Sequence, residues 1–99
     1  MSFLVEFDPK AEKEYFDAWD WYENKLSGLG DRFGISVVQQ IDSICKNPLI
    51  YPNKKSDYRE CSIADFPYLI VYKILPAKKI IYVLSIFHTS RHPRKKYRK

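Results

Sequence analysis

A chain of 99 residues, 45% hydrophobic and 16% aromatic, builds one domain around a single modest core, which excludes both a disordered segment and a two-domain protein. No apolar run approaches the roughly 18 residues that span a bilayer, and the opening MSFLVEFDPK has neither the basic start nor the small-residue cleavage site of a secretory leader. The net charge of +5 is unevenly spread: residues 1–50 carry five Lys/Arg against nine Asp/Glu, and residues 51–99 carry twelve against three. Such a basic half points to an anionic partner: nucleic acid, a membrane surface or an acidic protein.

The chain opens with FLVEF, Phe3 to Phe7, rich in β-formers and weakly alternating, which predicts a short first strand. Asp8 then suits a helix N-cap and Pro9 the first helical position. Ala11, Tyr15, Ala18, Trp19, Tyr22 and Leu26 recur at spacings of three and four, giving one apolar stripe. Ser27-Gly28-Leu29-Gly30 ends this helix and turns the chain, with Asp31 as the cap of the next. In RFGISVVQQIDSICKNP, the residues Phe33, Val37, Ile41, Ile44 and Cys45 share one helical face, and Pro48 stops the helix. Two helices so closely linked form an antiparallel hairpin.

The period then changes. NPLIYPNKKSD reads as a loop, and YRECSIA, Tyr58 to Ala64, alternates as a strand. Pro67 leads into FPYLIVYKIL, where a missing ladder N–H is tolerated. PAKK is a turn, and IIYVLSIFH is the last strand. Strands at 68–75 and 80–87 are apolar on both faces, so one face takes the hairpin and the other is covered by something else or left for a partner. The expected fold is α+β, in the order β-α-α-β-β-β, with the helices on one face of a mainly antiparallel sheet. Residues 1–93 form the single domain and 94–99 a basic tail. Cys45 and Cys61 match no metal-ligand spacing and no disulfide framework, which reads as two buried thiols of a cytosolic protein; a bridge between them stays open.

DWYENKLSGLGDRF in the hairpin, KNP after the second helix, FPYLIVY, and IFHTSRHPR at the last strand resemble, in this order, the ParE branch of the RelE/ParE toxins. The resemblance runs from about residue 3 to residue 94. It implies the toxin of a type II toxin–antitoxin module, neutralised by a small antitoxin whose extended C-terminal segment wraps it, and it calls for no cofactor and no metal. The free apolar sheet face fits such a partner, and Leu69, Val71, Tyr72 and Tyr82 are its expected antitoxin contacts. Homodimers and toxin–antitoxin hetero-oligomers both fit.

The target divides the family. RelE-like toxins cut messenger RNA on the ribosome, which needs a base for the 2′-OH, an acid for the leaving oxygen and cations on the phosphate. ParE-like toxins are regarded as poisons of DNA gyrase without that set. Candidates for a catalytic set here are His88, Arg91, Arg59, Lys73 and Tyr97. Histidine is the proton shuttle near neutral pH, yet a strand-end histidine also serves structurally, bonded to a loop carbonyl. The ending His88, Arg91, Pro93, Arg94 matches the ParE branch, which favours a gyrase inhibitor over a ribonuclease or a non-toxic nucleic-acid-binding module. His88, Arg91, Arg94, Lys95, Lys96 and Arg98 are the expected target contacts, with gyrase-bound DNA or ribosomal RNA attracting the cations through phosphates.

Overall fold

The computed structural model describes residues 3–90. In chain order the elements are β1 (Leu4–Phe7), α1 (Pro9–Lys25), α2 (Leu29–Lys46), β2 (Asn53–Lys55), β3 (Tyr58–Ser62), β4 (Tyr68–Leu75) and β5 (Ile80–His88). The sheet runs β1-β5-β4-β3-β2. Only β1 with β5 is parallel; the other pairs are antiparallel. The expected α+β order is therefore present with one addition, β2, inside the segment read as a loop. Its three residues, Asn-Lys-Lys, are all exposed and offer no apolar alternation. A short charged strand of this kind suits a sheet edge, where it discourages pairing with other chains.

Asp8 begins the helical layer. Its backbone is extended, its Oδ1 accepts from the Lys10 amide at 2.9 Å, and Pro9 occupies the first helical position. The stripe of α1 buries Ala11 and Ala18 and packs Tyr15, Trp19 and Tyr22 against the core. Leu26 departs from expectation: it is the C-cap, already extended, and lies 63% exposed.

The turn also differs from its reading. Gly28 takes the left-handed conformation at φ 91° and is the N-cap of α2, whereas Asp31 lies within the first turn. The cap comes from the preceding helix instead. Glu23 accepts from the Gly28 and Gly30 amides at 3.0 and 2.9 Å, placing a carboxylate on the orphan amides and the positive end of the α2 dipole. Gly30 is helical and sits where the two helices touch.

Phe33, Val37, Ile44 and Cys45 of α2 are buried as expected, together with Gly30 and Gly34, while Ile41 is half-buried. They meet Ile70 and Tyr72 of β4 and Ile81, Val83 and Ile86 of β5 in one core. The two cysteines are free and buried. Burial pushes both thiols up, and Cys61 Sγ is held by the Gln40 amide at 2.8 Å. Neither thiol is poised as a nucleophile.

A Cβ on Gly30 would stand 2.8 Å from the Trp19 carbonyl oxygen and 2.9 Å from Glu23 Oε1. Gly30→Ala is therefore expected to destabilise by about 1–3 kcal/mol through overpacking, even though alanine favours a helix interior by about 1 kcal/mol. Urea denaturation reads this directly, and an unchanged or higher midpoint would contradict the close helix crossing.

Candidate functional site

β5 does not keep one pleat along its length. Tyr72 pairs with Val83 but Val71 pairs with Ser85, so the register slips and Leu84 has no partner. Before the slip Ile81 and Val83 face the helices; after it Ile86 does. A bulge of this kind exchanges the faces of everything beyond it. His88, two residues past Ile86, is carried to the helix side, and Phe87 turns outward into a second cluster with Val71 and Leu84.

Glu14 of α1 holds the bulge. Its Oε1 accepts from Ser85 Oγ at 2.8 Å and from the Ile86 amide at 3.0 Å. This carboxylate takes up an amide that the slipped ladder leaves behind. Glu14 was not among the expected site residues. Its one signal in the sequence is position, since it lies within the stripe between Ala11 and Ala18 where an apolar residue belongs.

Around His88 lies a cleft of about 590 Å³, lined among others by Glu14, Asp17, Trp21, Tyr68, His88 and Ser90. Its chemistry is aromatic and acidic, and no Lys or Arg lines it among the described residues. His88 is bound within its own turn: Nδ1 accepts from the Ser90 amide at 3.1 Å and lies 2.7 Å from Ser90 Oγ. Its ring stands edge-on to Tyr68 with centroids 4.9 Å apart. With Nδ1 engaged as the acceptor, the neutral ring carries its proton on Nε2. The structural role is thus met by a loop amide rather than the loop carbonyl expected.

The other described candidates, Arg59 and Lys73, do not line this cleft. Arg59 pairs with Tyr72 and shares its helix-side face, where Nη1 donates to the Tyr51 carbonyl at 2.7 Å. Lys73 lies on the opposite face, its Nζ 5.5 Å from the centre of the Tyr58 ring. Register places Lys55 beside Tyr58, Tyr58 beside Lys73, and Lys73 beside Tyr82, a row across four strands of the outer face. Tyr68, the partner of His88, is five positions from Lys73 along β4, roughly 16 Å at about 3.3 Å per residue. Arg91, Arg94, Lys95, Lys96, Tyr97 and Arg98 lie outside the described residues.

The four expected antitoxin contacts divide in the same way. Tyr72 belongs to the helix-side core, fully buried with its hydroxyl donating to the Pro48 carbonyl at 2.7 Å, so it offers no surface to a partner. Burial drives its hydroxyl well above the ordinary tyrosine range. Val71 is outward-facing but equally buried, and Leu69 and Tyr82 are half-buried. Tyr82 donates to Asp8 Oδ2 at 2.6 Å, and this bond, with burial second, pushes its hydroxyl up to about 12. Exposed apolar side chains lie instead on the hairpin, where Phe16, Ile35 and Val38 are each more than half exposed, and outside it at Leu4, Leu49 and Ile50. Those of the hairpin went unnoticed in the sequence because they fall off the core stripe.

Glu14→Ala leaves the Ile86 amide and Ser85 hydroxyl without their acceptor. A loss of about 1–3 kcal/mol is expected, whereas Ser85→Ala, which keeps the amide bond, loses less. Equal and small losses in thermal denaturation would show that the bulge stands without Glu14.

No match is found among curated proteins. Among solved structures, the chromosomal ParDE toxin–antitoxin system of P. aeruginosa superposes at a TM-score of 0.75 with 14% identity, covering 90% of this chain and 98% of that one. A variant of the E. coli toxin RelE in complex with an antitoxin RelBc peptide gives 0.69 at 18% identity, covering 92% and 87%. The intact E. coli RelBE toxin–antitoxin complex gives 0.63 at 19% identity, covering 91% and 100%. At these identities the likeness is one of fold. The family assignment comes from the sequence itself: residues 5–93 match the family described as "ParE toxin of type II toxin-antitoxin system, parDE", and the chain belongs to that family.

Proposed function

We propose that this toxin is neutralised by a cognate antitoxin and inhibits DNA gyrase rather than cutting RNA. The observation that carries the reading is the dispersal of the three described catalytic candidates, His88, Arg59 and Lys73. In-line transfer at a phosphate needs a free base, an acid and cations converging within hydrogen-bond reach of one scissile group. Here His88 has its Nδ1 engaged and stands in a cleft with Glu14 and Asp17. Carboxylates repel the charge that an RNA phosphate would bring. Arg59 and Lys73 occupy opposite faces of the sheet, away from that cleft. The basic segment from Arg91 onward carries charge that attracts an anionic target.

An antitoxin has surface to hold. The hairpin carries a groove of about 260 Å³ lined in part by Phe16, Val38 and Ile41, and exposed apolar residues in one patch mark a protein partner. The ParDE and RelBE structures named above contain antitoxins, which supports the same partnership here. On this reading the antitoxin contacts the hairpin, and it reaches Leu69 and Tyr82, the accessible members of the expected set, only by wrapping onto the outer face of the sheet.

One observation favours a second reading. The outer-face row of Lys55, Tyr58, Lys73 and Tyr82 alternates cations with aromatic rings, the pattern on which single-stranded nucleic acid stacks. A RelE-like ribonuclease would use that face.

Purified protein incubated with gyrase and relaxed DNA, and separately with translating ribosomes, tells the two apart. Inhibited supercoiling is expected with wild type and with His88→Gln, with intact messenger RNA in both. If wild type cuts ribosome-bound messenger and His88→Gln loses about 10²–10⁴-fold in that rate, His88 is a general base and the gyrase reading is wrong.

A further inference from the structure

The cleft at the end of β5 disfavours a phosphate, and the same walls suit the opposite charge. On α1, Glu14, Asp17 and Trp21 follow at spacings of three and four, so they share one face. Tyr68 and His88 close the cleft from the sheet. The chain carries a net charge of +5, yet among the described residues two carboxylates and no Lys or Arg line this space. Its volume of about 590 Å³ is ample for a long side chain.

Trp21 gives the cleft its character. It is 55% exposed, and an exposed tryptophan at the rim of a cleft is the kind of residue on which protein partners anchor. The ring is nonetheless held in place. It meets Tyr22 edge-on, with centroids 5.1 Å apart and planes at 88°, and Lys25 Nζ lies 4.8 Å from its centre. The indole thus already accepts a cation. Asp17, one turn earlier, holds Lys13 Nζ at 2.8 Å with both side chains mostly exposed. Exposed pairs of this sort contribute little, so a cation that meets ring and carboxylate together displaces these lysines. Arginine suits the place better than lysine. Its planar guanidinium lies flat on an aromatic face while its N–H fork engages a carboxylate.

The cleft also adjoins the hairpin groove. Phe16 borders the groove, and Asp17, next in the chain, borders the cleft. A segment lying in the groove reaches the cleft by crossing α1, a helix about 10 Å wide. We propose that the cleft receives an arginine side chain of the antitoxin, its guanidinium laid against Trp21 and forked onto Asp17. Glu14, held by Ser85 and the Ile86 amide, adds a fixed carboxylate behind it. The source of the arginine rests on the antitoxin reading above; the chemistry of the cleft does not.

The test titrates the full chain with the capped tripeptide acetyl-Gly-Arg-Gly-amide and follows the indole N–H resonances. That of Trp21 is expected to shift saturably at about millimolar peptide, while that of Trp19, which lines a different cavity, stays in place. The lysine tripeptide should bind several-fold more weakly, and the neutral citrulline tripeptide about tenfold more weakly. Asp17→Asn, at an exposed position, should weaken the arginine tripeptide about tenfold as well. No saturable shift, equal binding of arginine and citrulline, or undiminished binding in Asp17→Asn would overturn the site. Stronger shifts from inorganic phosphate would overturn it in favour of an anion. In the complex with the cognate antitoxin, the tripeptide should no longer move Trp21. Unhindered access in that complex would overturn the assignment to the antitoxin while leaving the antitoxin bound. A toxin that took the tripeptide but bound no antitoxin would instead defeat the partnership proposed above, and with it the source named here.

Discussion

The two hydrogen bonds from Ser85 and Ile86 to Glu14 set the character of this molecule. An antiparallel strand with one continuous pleat would carry Phe87 inward with Val83 and turn His88 out. The slip at Leu84 reverses that assignment, and the Glu14 carboxylate gives the displaced amide a partner. Phe87 thereby joins the outer cluster, and His88 enters an acidic cleft beside Tyr68. A one-residue irregularity thus decides which chemistry the strand end can perform.

Two unlike faces result. The helix side is a conventional core, built on Phe33, Tyr72 and the inward residues of β5, and closed at the hairpin by Gly30 against Trp19. The outer side combines a buried apolar centre with a cross-strand row of lysines and tyrosines. Among the described residues Lys55 and Lys73 lie on that second face, while Glu14 and Asp17 mark the cleft of the first. On the proposed function, the lysines that would meet an anionic target and the imidazole of His88 therefore belong to different places. This separation is the physical basis for reading the protein as a toxin that binds rather than cleaves.

Much of this was legible in the residues. Asp8-Pro9, the glycines of the turn and Pro48 bound the two helices because caps and breakers act locally, and the spacing of Phe33, Val37 and Ile44 showed the buried face. Strands β4 and β5 declared themselves by long apolar runs. What stayed hidden depends on contacts between distant segments. Glu23 caps α2 from the other helix, which displaced Asp31 from that role. The bulge at Leu84 is specified by Glu14, some seventy positions earlier, and no periodicity in β5 announces it. Tyr72 read as partner surface because a strand apolar on both faces does not reveal which face each residue takes; its buried bond to Pro48 settles the matter. β2 was too short and too charged to signal a strand.

The face occupied by His88 is the point on which the account turns, and nuclear Overhauser contacts of its imidazole ring measure it directly. Contacts to the rings of Tyr68 and Trp21 and to the Ala18 methyl are expected, since these line the same cleft. Contacts to Leu69 or Leu84 in their place would put His88 on the outer face with the lysines, and the separation argued here would not hold.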